Sequence, residues 1–419
     1  MNIAQCFNIG YGREKDERDI QMRLYPSSPF PHATLGDCGE IVTGSTPSKS
    51  KAEFWGGKVP FVTPAQLGFR DPVTTANEFV TMAGAERGRM LPEGAVLVCC
   101  IGSLGKTGVA GVPLITNQQI NAIIFDPDQV EARYGYYAAR KLTHLLEHFA
   151  PSTTLKIVKK SSFAKMEIPL PPLTEQKRIA KILDTTDALR AKRREALAQL
   201  DTLLQSTFLN MFGDPVTNPM GWDDTSLLGD IADIVSGLTK GRKLNGKETR
   251  EVPYLAVVNV QDRHLVLDPL KRIEATEKEI ERYQLKNNDL LLTEGGDPDK
   301  LGRGTLWHNE VADCIHQNHV FRVRLHVESI HPVYLNWLIG SPRGKRYFLR
   351  QAKQTTGIAT INLTQLRKFP LIKPPLPLQA QFAAIVKSVE QQKSRMKTHL
   401  SELDTLFAAL QQRAFNGDL

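Results

Sequence analysis

Long hydrophobic runs are missing from this chain. The longest, Ala95 to Ile101, falls far short of the ~20 apolar residues that a membrane-spanning helix needs. The N-terminus also lacks the hydrophobic core of a secretion signal, so the sequence reads as a soluble cytoplasmic protein. Cysteine is scarce: Cys6, Cys38, Cys99, Cys100 and Cys314 make an odd total of five, with no C-x-x-C pair and no metal-ligand spacing to histidines. That excludes a disulfide framework and a structural zinc site. Complete catalytic motifs are missing too. Gly102-Ser103-Leu104-Gly105-Lys106-Thr107 ends like a phosphate-binding loop, but Cys100 stands where that motif requires its first glycine. Asp297-Pro298-Asp299-Lys300 has nuclease-like ingredients without a second acidic strand. An Asn/Asp-Pro-Pro-aromatic methyltransferase motif is absent, and the ten histidines form neither a helical metal pair nor a Ser/His/Asp set. The expectation is a chain with no catalytic residues, no metal and no cofactor.

What is present is a repeat. Leu35-Gly36-Asp37 recurs as Leu228-Gly229-Asp230, and Pro60-Phe61-Val62 as Pro253-Tyr254-Leu255, both displaced by 193 positions. Pro171-Pro172-Leu173 with Gln176 recurs as Pro374-Pro375-Leu376 with Gln379, displaced by 203. At 419 residues more than one core is expected, because single cores stop growing near ~250 to 300 residues. A duplicated frame with different residues between its anchors suggests one molecule recognising two different things. The net charge of +8 favours a polyanionic partner.

Residues 1–33 form an N-terminal arm, highly charged and then proline-rich. Residues 34–170 and 214–372 each alternate short strand-like runs with Gly/Pro/Ser turns and then a helix, over Ala132 to His148 and Pro332 to Leu349, so each module is α+β. After each Pro-Pro pair the pattern becomes helical. The seam reads Ile179, Ile182, Thr186, Leu189, Arg193, Leu197, Leu200, Leu204, Phe208, Met211 in residues 171–213. In residues 373–419 it reads Phe382, Ile385, Val389, Lys393, Met396, Leu400, Leu403, Phe407, Leu410. Each predicted helix runs roughly 35 residues, or about 50 Å, and an apolar stripe so long needs a partner. Chain connectivity makes the two antiparallel. The predicted architecture is two tandem α+β domains separated by two long helices in an antiparallel coiled coil with pseudo-two-fold symmetry.

A pseudo-two-fold protein can match the local two-folds of duplex DNA, touching it at two sites about 34 Å apart. Loop residues suited to phosphates and base edges sit at matched places in both halves. In the first they are Thr46, Ser48, Lys49, Gln66, Arg70, Ser103, Lys106, Gln118, Gln119, Thr153, Thr154 and Lys156. In the second they are Thr239, Lys240, Arg242, Lys243, Arg263, His264, Lys300, Arg303, Gln317, Asn318, His319, Thr355 and Thr356. Two other classes are compatible with parts of this pattern: a helical scaffold that never touches DNA, and a nucleotide-dependent nuclease, against which the incomplete motifs argue.

Three segments also resemble a known family. Val42 to Ser48, Phe54-Trp55-Gly56-Gly57-Lys58-Val59-Pro60-Phe61-Val62-Thr63-Pro64, and Ile168 to Ala180 are similar to the specificity subunits of type I restriction-modification systems. The second half departs from it, with Pro377-Leu378-Gln379 in place of Thr174-Glu175-Gln176 and no Phe-Trp-Gly-Gly counterpart. The resemblance implies two target recognition domains held apart by conserved helices, no catalysis, and an asymmetric bipartite DNA site with one half per domain. It implies as partners double-stranded DNA, two adenine-N6 methyltransferase subunits and restriction subunits, and no membrane. Lys192, Arg193, Arg194, Arg395 and Lys397, on the exposed helix faces, are the candidates for holding those subunits.

Overall fold

The structure, a computed structural model, describes residues 25, 28–150, 156–244, 246–297, 301–355 and 358–419. The chain divides into two compact units, Met1–Ala196 with Met396–Leu419, and Leu197–Arg395. The split differs from the expected domains in one respect: each unit contains a module together with a part of both long helices.

In the first unit, four antiparallel strands lie in the order Gly39–Thr43, Ile120–Phe125, Val96–Cys99, Thr107–Val109. Val96 to Cys99 are fully buried, which is why this run reads as continuous rather than alternating hydrophobicity. A smaller sheet places Trp55–Val62 between Glu78–Val80, antiparallel, and Ile115–Thr116, parallel. The second unit repeats both. Its four strands run Ala232–Ser236, Val320–Leu325, Leu290–Thr293, Gly304–Leu306, and its smaller sheet places Arg250–Leu255 between Lys271–Ala275 and Ile315–His316.

The helix expected after each large sheet is broken in two. Ala132–Lys141 is followed by Thr143–His148, and Pro332–Ile339 by Pro342–Gln351. In the second case Pro342 has no N–H to continue the ladder and instead begins the new helix at its first position.

The first long helix spans Leu173–Phe212 and the second Leu376–Asn416, each beginning just after its Pro-Pro pair. A buried glutamine fixes each start. Gln176, with no exposed surface, accepts from the Glu131 backbone N–H at 2.8 Å and donates to the carbonyls of Gln129 (2.8 Å) and Pro171 (2.9 Å). Gln379, equally buried, accepts from His331 N–H at 2.8 Å and donates to Ser329 (3.2 Å) and Pro374 (2.7 Å). A buried amide needs all these partners, so both modules use one lock between module and helix.

Within each unit the helices run antiparallel. In the first, Arg190 Nε meets Asp404 Oδ1 at 2.6 Å while Arg178 Nη2 reaches the Leu419 carbonyl at 2.8 Å. In the second, Lys393 Nζ meets Asp201 Oδ1 at 2.7 Å while the rings of Phe208 and Phe212 pack on Phe382. Arg190 and Lys393 are separated by 203 positions, as are Asp201 and Asp404, so the two ion pairs are copies with the helices exchanging roles. The module contacts exchange in the same way: Phe415 packs on Tyr134, at 5.4 Å between ring centroids, and Phe212 on Tyr334, at 4.8 Å.

The apolar seam holds at Ile179, Leu204 and Phe208 and in the second helix at Phe382, Val389 and Phe407, all buried. It fails at Leu189, which is 50% exposed. Arg190, one residue on, occupies the interface instead, paired to both Asp187 and Asp404. Among the described residues no helix is long and apolar enough to cross a membrane, and no group of His, Cys, Asp and Glu forms a metal site.

Candidate nucleic-acid interface

Strand direction gathers the candidate loops. In the first unit Thr43 pairs with Asn121, Val98 with both Asn121 and Thr107. The loops after Thr43, before Ile120 and between Cys99 and Thr107 therefore leave one end of the sheet together. Gly44 shows how tightly they meet: a Cβ there would lie 2.1 Å from the Asn117 carbonyl oxygen. In the second unit Gly237, its repeat mate, would place a Cβ 2.0 Å from the His316 carbonyl oxygen. Only glycine permits either approach.

Hydrogen bonds then sort the candidates. The Thr46 hydroxyl donates to Gln118 Oε1 at 2.7 Å, which leaves the amide N–H groups of the exposed Gln118 as its outward donors. Gln119 is tied inward, accepting from Asn117 Nδ2 at 2.8 Å. Lys49 is paired with Glu78 and lies over the Trp55 ring at 4.5 Å, while Ser48 bonds Ser50. Gln66 Oε1 caps its own turn by accepting from Thr63 N–H at 2.9 Å. Arg70 pairs with Asp71, and its carbonyl accepts from Arg133 Nη1 at 3.3 Å. Lys156 approaches Glu147 at 3.9 Å. Ser103 and Lys106, both exposed, make no side-chain bond among the described residues. Thr153 and Thr154 lie outside the described residues.

The second unit's loops follow the same sheet end. Arg242 is a brace: its guanidinium grips Glu279 at 2.6 and 2.9 Å and the Glu274 carbonyl at 2.7 Å, and this pairing lowers the Glu279 carboxyl to about 2. Arg263 lies flat on Trp337, its guanidinium carbon 3.6 Å from the ring centroid, a stacked cation–π contact that turns it from the open surface. Arg303 Nη1 donates to Gln261 Oε1 at 2.9 Å. His319 Nδ1 is 2.6 Å from Glu294 Oε2, and its Nε2 is 3.4 Å from Asn318 Nδ2. Lys240 covers the Tyr254 ring at 4.8 Å, and His264 Nδ1 is 3.0 Å from the Asp262 carbonyl. Thr239 and Lys243 are exposed, Gln317 half-buried. Lys300 and Thr356 fall outside the described residues, and Thr355 is placed only as part of the strand Lys353–Thr355.

Sequence reasoning missed the residues that aim these loops. Arg89, at a positive φ of 59°, donates to the Thr43 carbonyl at 2.8 Å; Asn121 Oδ1 accepts from the Thr43 hydroxyl at 2.7 Å. Gln261 and Glu294 hold Arg303 and His319. No local pattern marks them, because each partner is distant in sequence. Of the helix-face candidates, Arg194 is engaged with Asp404 at 2.9 Å, whereas Lys192 is exposed, Arg193 half-buried, and Arg395 and Lys397 exposed.

The family model for the type I restriction modification DNA specificity domain matches residues 29–199 and again residues 219–404. The type I restriction enzyme MjaIX specificity subunit of Methanocaldococcus jannaschii is 29% identical over 261 residues, 55% of this chain and 57% of that one. The StySPI specificity subunit of Salmonella potsdam is 27% identical over 281 residues, 62% and 59% of the two chains. The chain thus spans just under three fifths of the length of these curated relatives. Among solved structures, the S subunit of a type I restriction-modification system from M. genitalium superposes with a TM-score of 0.53 at 17% identity, covering 93% of this chain and 96% of the other. A chain from a study of type I R-M complex assembly and conformational transition gives 0.54 at 18%, covering 93% and 99%. These two share the fold. With both halves matched by one family model, the chain belongs to the type I restriction modification DNA specificity domain family and carries that domain twice.

Proposed function

We propose that this chain is the non-catalytic DNA-specificity subunit of a type I restriction-modification enzyme. Residues 34–170 and 214–372 act as two target recognition domains, each reading one half of an asymmetric, bipartite duplex site. The long helices dock two adenine-N6 methyltransferase subunits and the restriction subunits that complete the enzyme in the cytoplasm.

The observation that carries this reading is the sheet-end loop cluster, built twice on one frame with different side chains. The pinching glycines Gly44 and Gly237 keep the frame the same, while Thr46 with Gln118 in one cluster and Asn318 with His319 in the other present different hydrogen-bonding groups. Equivalent positions with unlike chemistry select unlike base sequences. The exposed Ser103, Lys106 and Lys243 suit phosphate contacts, which set register without reading sequence.

Equilibrium binding of the chain, with its methyltransferase subunits, to duplex DNA over a salt series tests this. Affinity should fall linearly on a log–log scale, by roughly 0.9 per phosphate neutralised. A scaffold that does not touch DNA would give no salt-dependent duplex binding.

A further inference from the structure

In the first unit the two long helices enclose a groove of about 710 Å³. Its apolar wall is Leu189, Leu403 and Leu406; Leu189 and Leu406 are 50% and 47% exposed. Lys192 and Arg193 line one side and Glu402 the other. Neither cation makes an ion pair among the described residues. Lys177 and Lys181, also without ion pairs there, continue the cationic side along the same helix into a neighbouring cleft that shares Leu189 and Lys192.

A groove between two paired helices fits a third helix, which buries its own apolar stripe there. The unpaired cations require carboxylates on that helix's edge to offset the desolvation of the charges. The repeat does not preserve the groove. At the positions displaced by 203, Leu203 mirrors Leu406, but Gln392 mirrors Leu189 and Gln199 mirrors Glu402. Burying the Gln392 amide against an apolar stripe costs affinity that Leu189 does not.

We infer that the Leu189–Leu406 groove is the tighter of two unequal docking places for methyltransferase subunits, and that it receives a helix with a leucine-like stripe edged by Asp and Glu. This rests on the function proposed above, and adds that the two copies are held with different affinities.

The test is a titration of the full-length chain with the methyltransferase subunit of its own system, followed by native mass spectrometry and calorimetry. The unaltered chain should bind in two steps, separated by roughly tenfold to a hundredfold. Leu189→Gln should weaken the first step by that factor and bring the two together. Gln392→Leu, in an otherwise unaltered chain, should strengthen the second. Leu189 and Gln392 are both exposed, so each variant should keep the parent's helical circular dichroism. Two copies bound with one affinity, or a Leu189→Gln chain that still binds in two separated steps, would overturn the inference while leaving the proposed function intact. No methyltransferase binding by any variant would overturn both.

Discussion

Side chains in the candidate loops divide into those that hold the loops and those that remain available. Arg242 and Arg263 looked like DNA readers because Arg in a Gly-rich loop suits guanine, yet one grips Glu279 and the other lies on Trp337. Lys106 and Lys243 carry no such attachment. Replacing either with Ala should weaken duplex binding across all sequences and reduce the salt slope by about 1, whereas Arg242→Ala should lower the melting temperature of the second unit. Fluorescence anisotropy over a salt series, with thermal melts alongside, separates the two outcomes. A second residue-scale expectation concerns His316, fully buried in the second unit. Burial lowers it from its usual 6.5 to about 4, so the folded state resists a proton that the unfolded chain accepts. Its contribution is complete above pH 6.5 and is lost as the pH falls through that window toward 4, on the order of 3 kcal/mol. Melting temperatures measured from pH 7 to 4 should fall less steeply for His316→Leu than for the parent; equal slopes would refute the assignment.

Among the elements, the long helices were the most legible. Their apolar period and the Pro-Pro starts, with Gly213 and Gly417 just beyond their ends, gave Leu173–Phe212 and Leu376–Asn416 nearly at their true bounds. Their contact register was not legible, because a 3.6-residue period leaves a choice of which flanking polar residue enters the seam. The structure chooses Arg190 over Arg193, since only Arg190 reaches Asp187 and Asp404 together. The helix breaks at Leu142 and Gly340 were also missed; continuous apolar content hides a short turn. The copied pairs Arg190–Asp404 and Lys393–Asp201 predict a definite energetic pattern. Asp404 is partly exposed, at 42% of its side chain, so a double-mutant cycle on Arg190 and Asp404 to Ala should give a coupling of about 0.5–1 kcal/mol. A cycle pairing Arg190 with Asp201 should give none.

For the molecule as a whole, the repeat was written in the anchors Leu35-Gly36-Asp37 and Leu228-Gly229-Asp230, and both units carry the same two sheets. Half of the candidate site was visible in the same way: the loops were found, but not the hydrogen bonds from Arg89, Asn121, Gln261 and Glu294 that aim them. Those partners lie on other strands, and only the folded sheet brings them near. The central claim is that each domain reads its half of the target independently of the other. It is tested most directly by exchanging residues 214–372 for the same region of a relative and sequencing the methylated adenines in cells that also carry the methyltransferase subunits. One half of the methylated sequence should change while the other half stays as it was. A change in both halves, or a palindromic target, would contradict two independent readers.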